Sequence, residues 1–88
     1  LSLGMVNKIV PEAALAEEVC RFIEKFKKLS GIVLKLTKEA TLAGLNDDTD
    51  KGLKVIEKIY LDRLMKTNDA IEGLKAFLDK RKPTWKDS

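Results

Sequence analysis

Near its end the chain reads Thr67-Asn-Asp-Ala-Ile-Glu-Gly-Leu-Lys-Ala-Phe-Leu-Asp-Lys-Arg-Lys-Pro-Thr-Trp-Lys86, which combines a helix start, a helix body and a helix stop. Thr67 or Asn68 can cap the N-terminus, and acidic residues follow in the first turn, where they complement the helix dipole. Pro83 ends the helix because proline lacks a backbone N–H. Apolar residues recur between these signals at helical spacing: Ala70, Ile71, Leu74, Phe77 and Leu78. The stretch therefore predicts an amphipathic helix followed by a basic tail that Trp85 anchors.

The same helical period extends back through most of the chain. It predicts a first helix from Pro11 to Leu29, a second from about Ile32 to Ala43, closed by Gly44, and a third that ends near Lys66. We expect each helix to bury one apolar stripe. These stripes are Leu15, Val19, Phe22, Ile23, Phe26 and Leu29 in the first helix, Val33, Leu36 and Ala40 (with Ile32 and Leu42 near them) in the second, and Leu53, Ile56, Tyr60, Leu64, Ile59 and Met65 in the third.

Four helices with short connections predict an all-α fold. Only Met5 to Val10 has the character of a strand. The expected architecture is a compact bundle of about four helices, with a short extended N-terminal segment and a proline-stopped C-terminal tail. At 88 residues the chain is large enough for one small domain.

Composition excludes several classes of function. The apolar runs are too short to span a membrane, and a net charge of +3 without interleaved aromatic and basic residues argues against nucleic acid. The chain has no histidine and one cysteine, so no conventional zinc site is expected. Cys20 is expected to be a buried or half-buried thiol, and a lone thiol favours a reducing, cytoplasmic location.

A calcium loop is one alternative for the polar link between the second and third helices. Asn46, Asp48, Asp50 and Glu57 have the spacing of EF-hand positions 1, 3, 5 and 12. Lys51, however, occupies position 6, which requires glycine for a sharp turn. Capping of the third helix explains the polar residues without a metal, and we favour that explanation.

Three passages carry a family resemblance. They are the motif Asp69-Ala-x-Glu-Gly-x-x-Ala-Phe-x-x-Lys-Arg-Lys-Pro83, the segment Thr37-Lys-Glu-Ala40 and the leading passage Leu3-Gly-Met-Val-Asn-Lys-Ile-Val-Pro11. Together they resemble the closing segment of the enoyl-CoA hydratases and isomerases, the crotonase family. The resemblance implies that residues 1–88 form a single C-terminal helical domain used in oligomerisation, without the N-terminal catalytic domain. The chain starts without an initiator methionine, and Leu1 and Leu3 are too few for the apolar region of a signal peptide, so we expect this start to lie inside a longer protein.

The chemistry implied by the resemblance belongs to the longer enzyme. That enzyme would add water to a 2,3-unsaturated acyl-CoA, or shift its double bond, through a thioester enolate held by two backbone N–H groups. No catalytic residue is expected in this chain, and the chain alone is expected to be inactive. No cofactor is implied, because coenzyme A enters as the thioester substrate. The segments Tyr60-Leu-x-x-Leu-Met-Lys-Thr67 and Pro83-x-Trp-Lys86 are similar to hydratases of cyclic dienoyl-CoA thioesters.

Two residues acquire site roles from the resemblance. Lys80 begins the basic cluster Lys80-Arg81-Lys82, and the family places a lysine there against the coenzyme A phosphates. The alternative is a solvated helix end. Leu61, counted back from Gly73, falls where many members carry an aromatic residue that walls the acyl pocket, whereas the period of Tyr60 indicates core.

The expected partners follow from the same family. They are a catalytic domain, neighbouring subunits in a trimer or a dimer of trimers, and acyl-CoA; neither nucleic acid nor a membrane is expected. Because such helices bury two faces in the complete enzyme, we expect the chain alone to expose an apolar patch, to self-associate, or to fray at Leu1–Val10. The competing hypothesis is a free-standing helical module that binds acyl-CoA or another protein.

Overall fold

The computed structural model describes residues 2–45 and 48–88, and helices account for most of this range. After a 3₁₀ turn at Glu12–Ala14, the chain forms α1 (Leu15–Lys27), α2 (Gly31–Leu45), α3 (Thr49–Lys58) and α4 (Asn68–Leu78). Between α3 and α4 lie a π-helical segment, Ile59–Arg63, and a 3₁₀ turn, Leu64–Lys66. The predicted all-α fold of about four helices is confirmed, and residues 2–45 and 48–88 contain no β-strand.

Two of the predicted helix caps are present. Asp48 precedes α3, and its carboxylate accepts the backbone N–H of Lys51 at 2.9 Å. Thr67 precedes α4, and its hydroxyl accepts the N–H of Ala70 at 3.1 Å. Thr67 is therefore the cap of the last helix, which the sequence left open between two residues. Asp48 serves as a helix cap, as the sequence favoured, while Leu1, Asn46 and Asp47 lie outside the described residues.

Helix boundaries differ from prediction at two places. α1 begins at Leu15 because the residues after Pro11 form a 3₁₀ turn, and Ala14 offers no side chain for capping. α2 continues through Gly44 to Leu45, so the prediction that Gly44 closes it is wrong. A Cβ atom at Gly44 would lie 2.9 Å from Cδ1 of Ile56. The glycine instead lets α2 and α3 approach closely, a packing role that a C-cap assignment overlooks.

The π-helical segment changes which residues of the third helix face inward. The N–H of Leu64 reaches the carbonyls of both Ile59 and Tyr60, which adds an i→i−5 bond to the usual ladder. Ile59 is buried, whereas Tyr60 and Leu53 are exposed, so their predicted inward positions are wrong. A widened turn rotates Tyr60 and the residues after it out of the 3.6-residue register on which the stripe was based. Leu53 lies six residues before this segment, near the start of α3, where its side chain is 58% exposed.

The apolar stripes of α1 and α4 are not buried. Every stripe residue of α1 is 43–54% exposed, and Phe77 of α4 is 81% exposed. Among the residues that the structure describes, the buried hydrophobic ones are Leu36, Ile59 and Ala76. The described residues occupy a flat body of 44 × 39 × 19 Å, in which the α1 and α4 stripes have no second layer above them. The predicted burial is wrong for these two helices, and the expected exposed apolar patch is confirmed.

Two smaller observations complete the fold. Cys20 is exposed on α1, so the prediction that it is buried or half-buried is wrong. The neighbouring apolar stripe of α1 is itself uncovered in the described residues, and Cys20 therefore stays open as well. Among the helices of the described residues, none has the length and apolar character needed to span a membrane.

Candidate functional site

The C-terminal end of α4 is built as a Schellman motif around Lys80. The N–H of Arg81 donates to the carbonyl of Ala76 at 3.0 Å, and the N–H of Lys80 donates to the carbonyl of Phe77 at 3.2 Å. Lys80 has a φ of +52°, the left-handed conformation for which glycine is the usual residue. A lysine therefore occupies a helix end at which any side chain with a Cβ is strained.

Glu72 fixes the chain that follows Lys80. Its two carboxylate oxygens accept the guanidinium of Arg81 at 2.6 and 3.0 Å, and one oxygen also accepts the N–H of Thr84 at 2.9 Å. The hydrogen bonds from Arg81, and then from the Thr84 amide, lower the pKa of Glu72 to about 2. This paired carboxylate therefore stays ionised throughout the neutral range.

The predicted basic cluster consequently divides into two kinds of cation. Arg81 is paired with Glu72 and also lies 3.5 Å from a carboxylate oxygen of Asp79. Lys80 and Lys82 are exposed, and neither forms an ion pair with any residue in 2–45 or 48–88. Two lysines at a helix C-terminus are available to bind an anion such as phosphate, while the arginine between them is structural.

A buried carboxylate holds the last residues of the chain. Asp69 is 1% exposed, and it accepts the hydroxyl of Ser30 and the backbone N–H groups of Lys86 and Asp87, at 2.8 and 3.0 Å. Burial raises the pKa of Asp69, but these hydrogen bonds outweigh that effect and leave the pKa below its ordinary value. The ionised form of Asp69 thus joins the start of α4, the start of α2 and the tail.

Asp87 and Trp85 of the tail make further contacts with the helical part of the chain. Asp87 accepts the N–H of Gly31 at 2.6 Å, which caps α2 from a distant part of the chain. The indole N–H of Trp85 donates to the carbonyl of Lys28 at 2.9 Å, and the indole ring lies over Gly73. The prediction that Trp85 docks the tail is confirmed.

Sequence reasoning missed Asp69 and Glu72 as the residues that hold the tail. Both were explained by the dipole of α4, since both lie close to its N-terminus. Their partners lie far along the chain; Lys86, for example, lies 17 positions after Asp69. Local spacing carries no signal for such contacts.

A separate apolar groove lies between α2 and the π-helical segment. Its volume is about 240 Å³, and its lining residues are Leu36, Thr37, Ala40, Thr41, Ile56, Ile59, Tyr60 and Leu64. An ion pair between Glu39 and Arg63 also connects these two elements. Hydrogen bonding to Arg63 lowers the pKa of Glu39, so the pair is charged at neutral pH. Such a groove suits an apolar chain better than a polar ligand.

Comparison with known protein families shows to which family the chain belongs. A family model described as "Enoyl-CoA hydratase/isomerase" matches residues 1–88. The chain belongs to this family. Its exposed lysines and apolar groove can therefore be considered in relation to acyl-CoA enzymes.

Individual relatives agree with this assignment. Over 82 residues the chain is 38% identical to the human enoyl-CoA hydratase domain-containing protein 3, mitochondrial, covering 93% of this chain and 27% of that protein. It is 33% identical to cyclohexa-1,5-dienecarbonyl-CoA hydratase from Thauera aromatica, covering 97% of this chain and 33% of the relative. The crystal structure of an enoyl-CoA hydratase/isomerase from Mycobacterium paratuberculosis superposes with a TM-score of 0.90 at 29% identity, covering 99% of this chain and 34% of that one. The 88-residue chain thus spans about a quarter to a third of the length of these proteins.

In this chain, the two residues that the sequence analysis assigned to the acyl-CoA site lie on different elements. Lys80 follows α4, and Leu61 lies in the π-helical segment, where it is exposed and outside the lining of the apolar groove. Its neighbour Tyr60, which the period assigned to the core, lines that groove. The roles of Lys80 and Leu61 in binding remain predictions.

Proposed function

We propose that this chain is the C-terminal helical assembly domain of an enzyme that hydrates or isomerises a 2,3-unsaturated acyl-CoA. The longer enzyme would stabilise a thioester enolate with backbone N–H groups and move protons with carboxylates, all outside this chain. Within it, residues 1–88 would help to form the subunit interfaces and part of the substrate site. The family match along the whole chain does not favour a free-standing module.

One observation carries the assembly role: the apolar stripes of α1 and α4 have no cover. The rings of Phe22 and Phe26 are in contact in a tilted arrangement, with 5.5 Å between their centroids, yet both side chains are more than two-fifths exposed. Exposed apolar surface of this extent is typical of an interface. We assign its cover to the catalytic domain and to neighbouring subunits of a trimer or a dimer of trimers. In the chain alone, the same surface should promote self-association.

The contact with coenzyme A is assigned to Lys80. Lys80 is exposed and forms no ion pair within the described residues, and its backbone is held at a hydrogen-bonded helix end, which lowers the entropic cost of binding a phosphate. Coenzyme A enters as part of the substrate, so the proposal requires no resident cofactor. Leu61 is retained as a wall of the acyl pocket, where an exposed leucine would keep the wall apolar.

For the acyl group of the substrate we propose a class of compounds, and for the cellular location a compartment. The relative from Thauera aromatica is named for a cyclic dienoyl-CoA, which supports a cyclic thioester from aromatic acid degradation alongside a fatty acyl chain. The single cysteine favours a reducing compartment, for which we propose the cytoplasm.

The test uses the complete enzyme that contains this segment. Replacing Lys80→Ala should raise KM for crotonyl-CoA about tenfold, the effect of losing roughly 1.4 kcal/mol from a charge-assisted phosphate contact, and should change kcat little. Lys38→Ala is the matched control, because Lys38 is an exposed lysine on α2 without an ion pair in the described residues. Unchanged KM in the Lys80 variant would exclude Lys80 from the substrate site.

A further inference from the structure

We infer that Glu72 is a positioning residue for coenzyme A: it holds the turn that presents Lys80 to the phosphates. The inference rests on the proposed contact of Lys80 with coenzyme A. Glu72 itself touches no substrate in this proposal, and acts through Arg81 and Thr84.

The first step concerns the backbone of Lys80. A non-glycine residue at a φ of +52° persists when surrounding contacts fix the chain on both sides of it. The Schellman hydrogen bonds tie the N–H groups of Lys80 and Arg81 to the carbonyls of Phe77 and Ala76, and so fix the backbone as far as the Arg81 amide. They leave the far side of the turn, from the side chain of Arg81 onward, to be fixed by something else.

The second step identifies what fixes the far side. Glu72 lies inside α4, so its backbone is rigid, and its carboxylate reaches across to both ends of the segment Arg81–Thr84. Three hydrogen bonds of 2.6 to 3.0 Å converge on this one carboxylate. The two bonds from Arg81 form a parallel fork, which defines an orientation as well as a distance. Lys80 is therefore held between the helix and a clamped segment.

The third step concerns charge. The carboxylate of Glu72 neutralises Arg81, so the guanidinium is engaged in the fold and does not compete with Lys80 for an anion. Lys80 and Lys82 then present their charges from a turn of fixed geometry. Without Glu72, the turn would keep its three cations but would lose the geometry that separates the binding lysines from the structural arginine.

The experiment replaces Glu72→Gln in the complete enzyme. Glutamine has the same size and can still accept the N–H of Thr84, but it lacks the charge that holds the guanidinium fork. We expect KM for crotonyl-CoA to rise about three- to tenfold with kcat nearly unchanged, because Lys80 remains but is poorly placed. KM for crotonyl-pantetheine, which lacks the nucleotide phosphates, should not change. A merely structural defect would affect both substrates equally.

Two further variants sharpen the test. Arg81→Lys keeps the charge but cannot form the fork, so it should reproduce the effect of Glu72→Gln. Glu17→Gln is the matched control, since Glu17 accepts a 2.6 Å hydrogen bond from Arg21 on the surface of α1, away from the turn. This control should leave both KM values unchanged.

A double-variant cycle separates this inference from the proposal on which it rests. If Glu72 acts through Lys80, adding Glu72→Gln to Lys80→Ala should raise KM no further. A normal KM in Glu72→Gln beside a raised KM in Lys80→Ala would overturn the positioning role and leave the phosphate contact standing. A normal KM in Lys80→Ala would overturn both. Should Glu72→Gln fail to fold, Arg81→Lys provides the same cycle with the same outcomes.

Discussion

Lys80 lies in the left-handed region of the backbone map, at a helix end where glycine would be unstrained. The sequence does not reveal this positive φ, because a basic cluster followed by proline is compatible with many conformations at the end of a helix. The neighbouring contacts of Glu72 and Asp69 are equally hidden, since each depends on residues brought together by the tail. What the sequence does supply at this scale is the chemistry: four cations, a proline and a tryptophan after one helix.

The strain at Lys80 gives a prediction for stability. Lys80→Gly should be more stable than Lys80→Ala by about 1 kcal/mol, because glycine adopts a positive φ without a Cβ clash. Thermal unfolding of the two variants, followed by circular dichroism, measures this difference as roughly 4–8 °C in the midpoint. Both variants remove the ammonium group, so both should bind coenzyme A poorly. Equal midpoints would show that the left-handed conformation costs nothing here.

Glu72 gives a prediction for pH. Its pKa in the folded chain is about 2, below the ordinary value of 4.5, so the ionised form stabilises the fold above pH 4.5. That contribution should be lost as the pH falls from about 4.5 to 2. Fluorescence of Trp85 in the tail reports the loss as an acid transition. In Glu72→Gln the part of the transition due to this carboxylate should be absent; identical acid curves for the two proteins would contradict the assignment.

At the scale of elements, the presence of the four helices and the caps of α3 and α4 were predictable because they depend on local chemistry. Asp48 and Thr67 cap their helices as the sequence indicates, and Trp85 docks the tail. The π-helical segment was not predictable from the period, since it interrupts the register on which the period depends. Gly44 was misassigned for a related reason: its role comes from Ile56 on another helix.

The docked tail gives a prediction at this scale. Trp85→Phe keeps an aromatic side chain but removes the hydrogen bond to the carbonyl of Lys28, together with the outer indole atoms that lie over Gly73. The expected loss is about 1 kcal/mol, or roughly 4–8 °C in the unfolding midpoint. Tyr60→Phe is the control, because the Tyr60 hydroxyl forms no hydrogen bond within the described residues. Equal midpoints for both variants would mean that the indole hydrogen bond does not hold the tail.

At the scale of the whole molecule, the sequence predicted the fold class and the family but not which stripes are buried. A helical stripe shows that a face is apolar without showing what covers it. The stripe of α2 lies at the core around Leu36, whereas those of α1 and α4 are open. For the same reason, the apolar groove beside Tyr60 could be located only once α2 and the π-helical segment were placed together. Membership of the enoyl-CoA hydratase/isomerase family accounts for the open stripes if a larger body covers them.

Hydrogen exchange of α1 tests this central claim most directly. The backbone amides of α1 are compared between the 88-residue chain, kept dilute enough to be monomeric, and the complete enzyme that contains it. If the stripe around Phe22 and Phe26 is an interface, protection of α1 should rise by several orders of magnitude in the complete enzyme. Equal protection in the two proteins would contradict the account, because α1 would then need no cover to be stable.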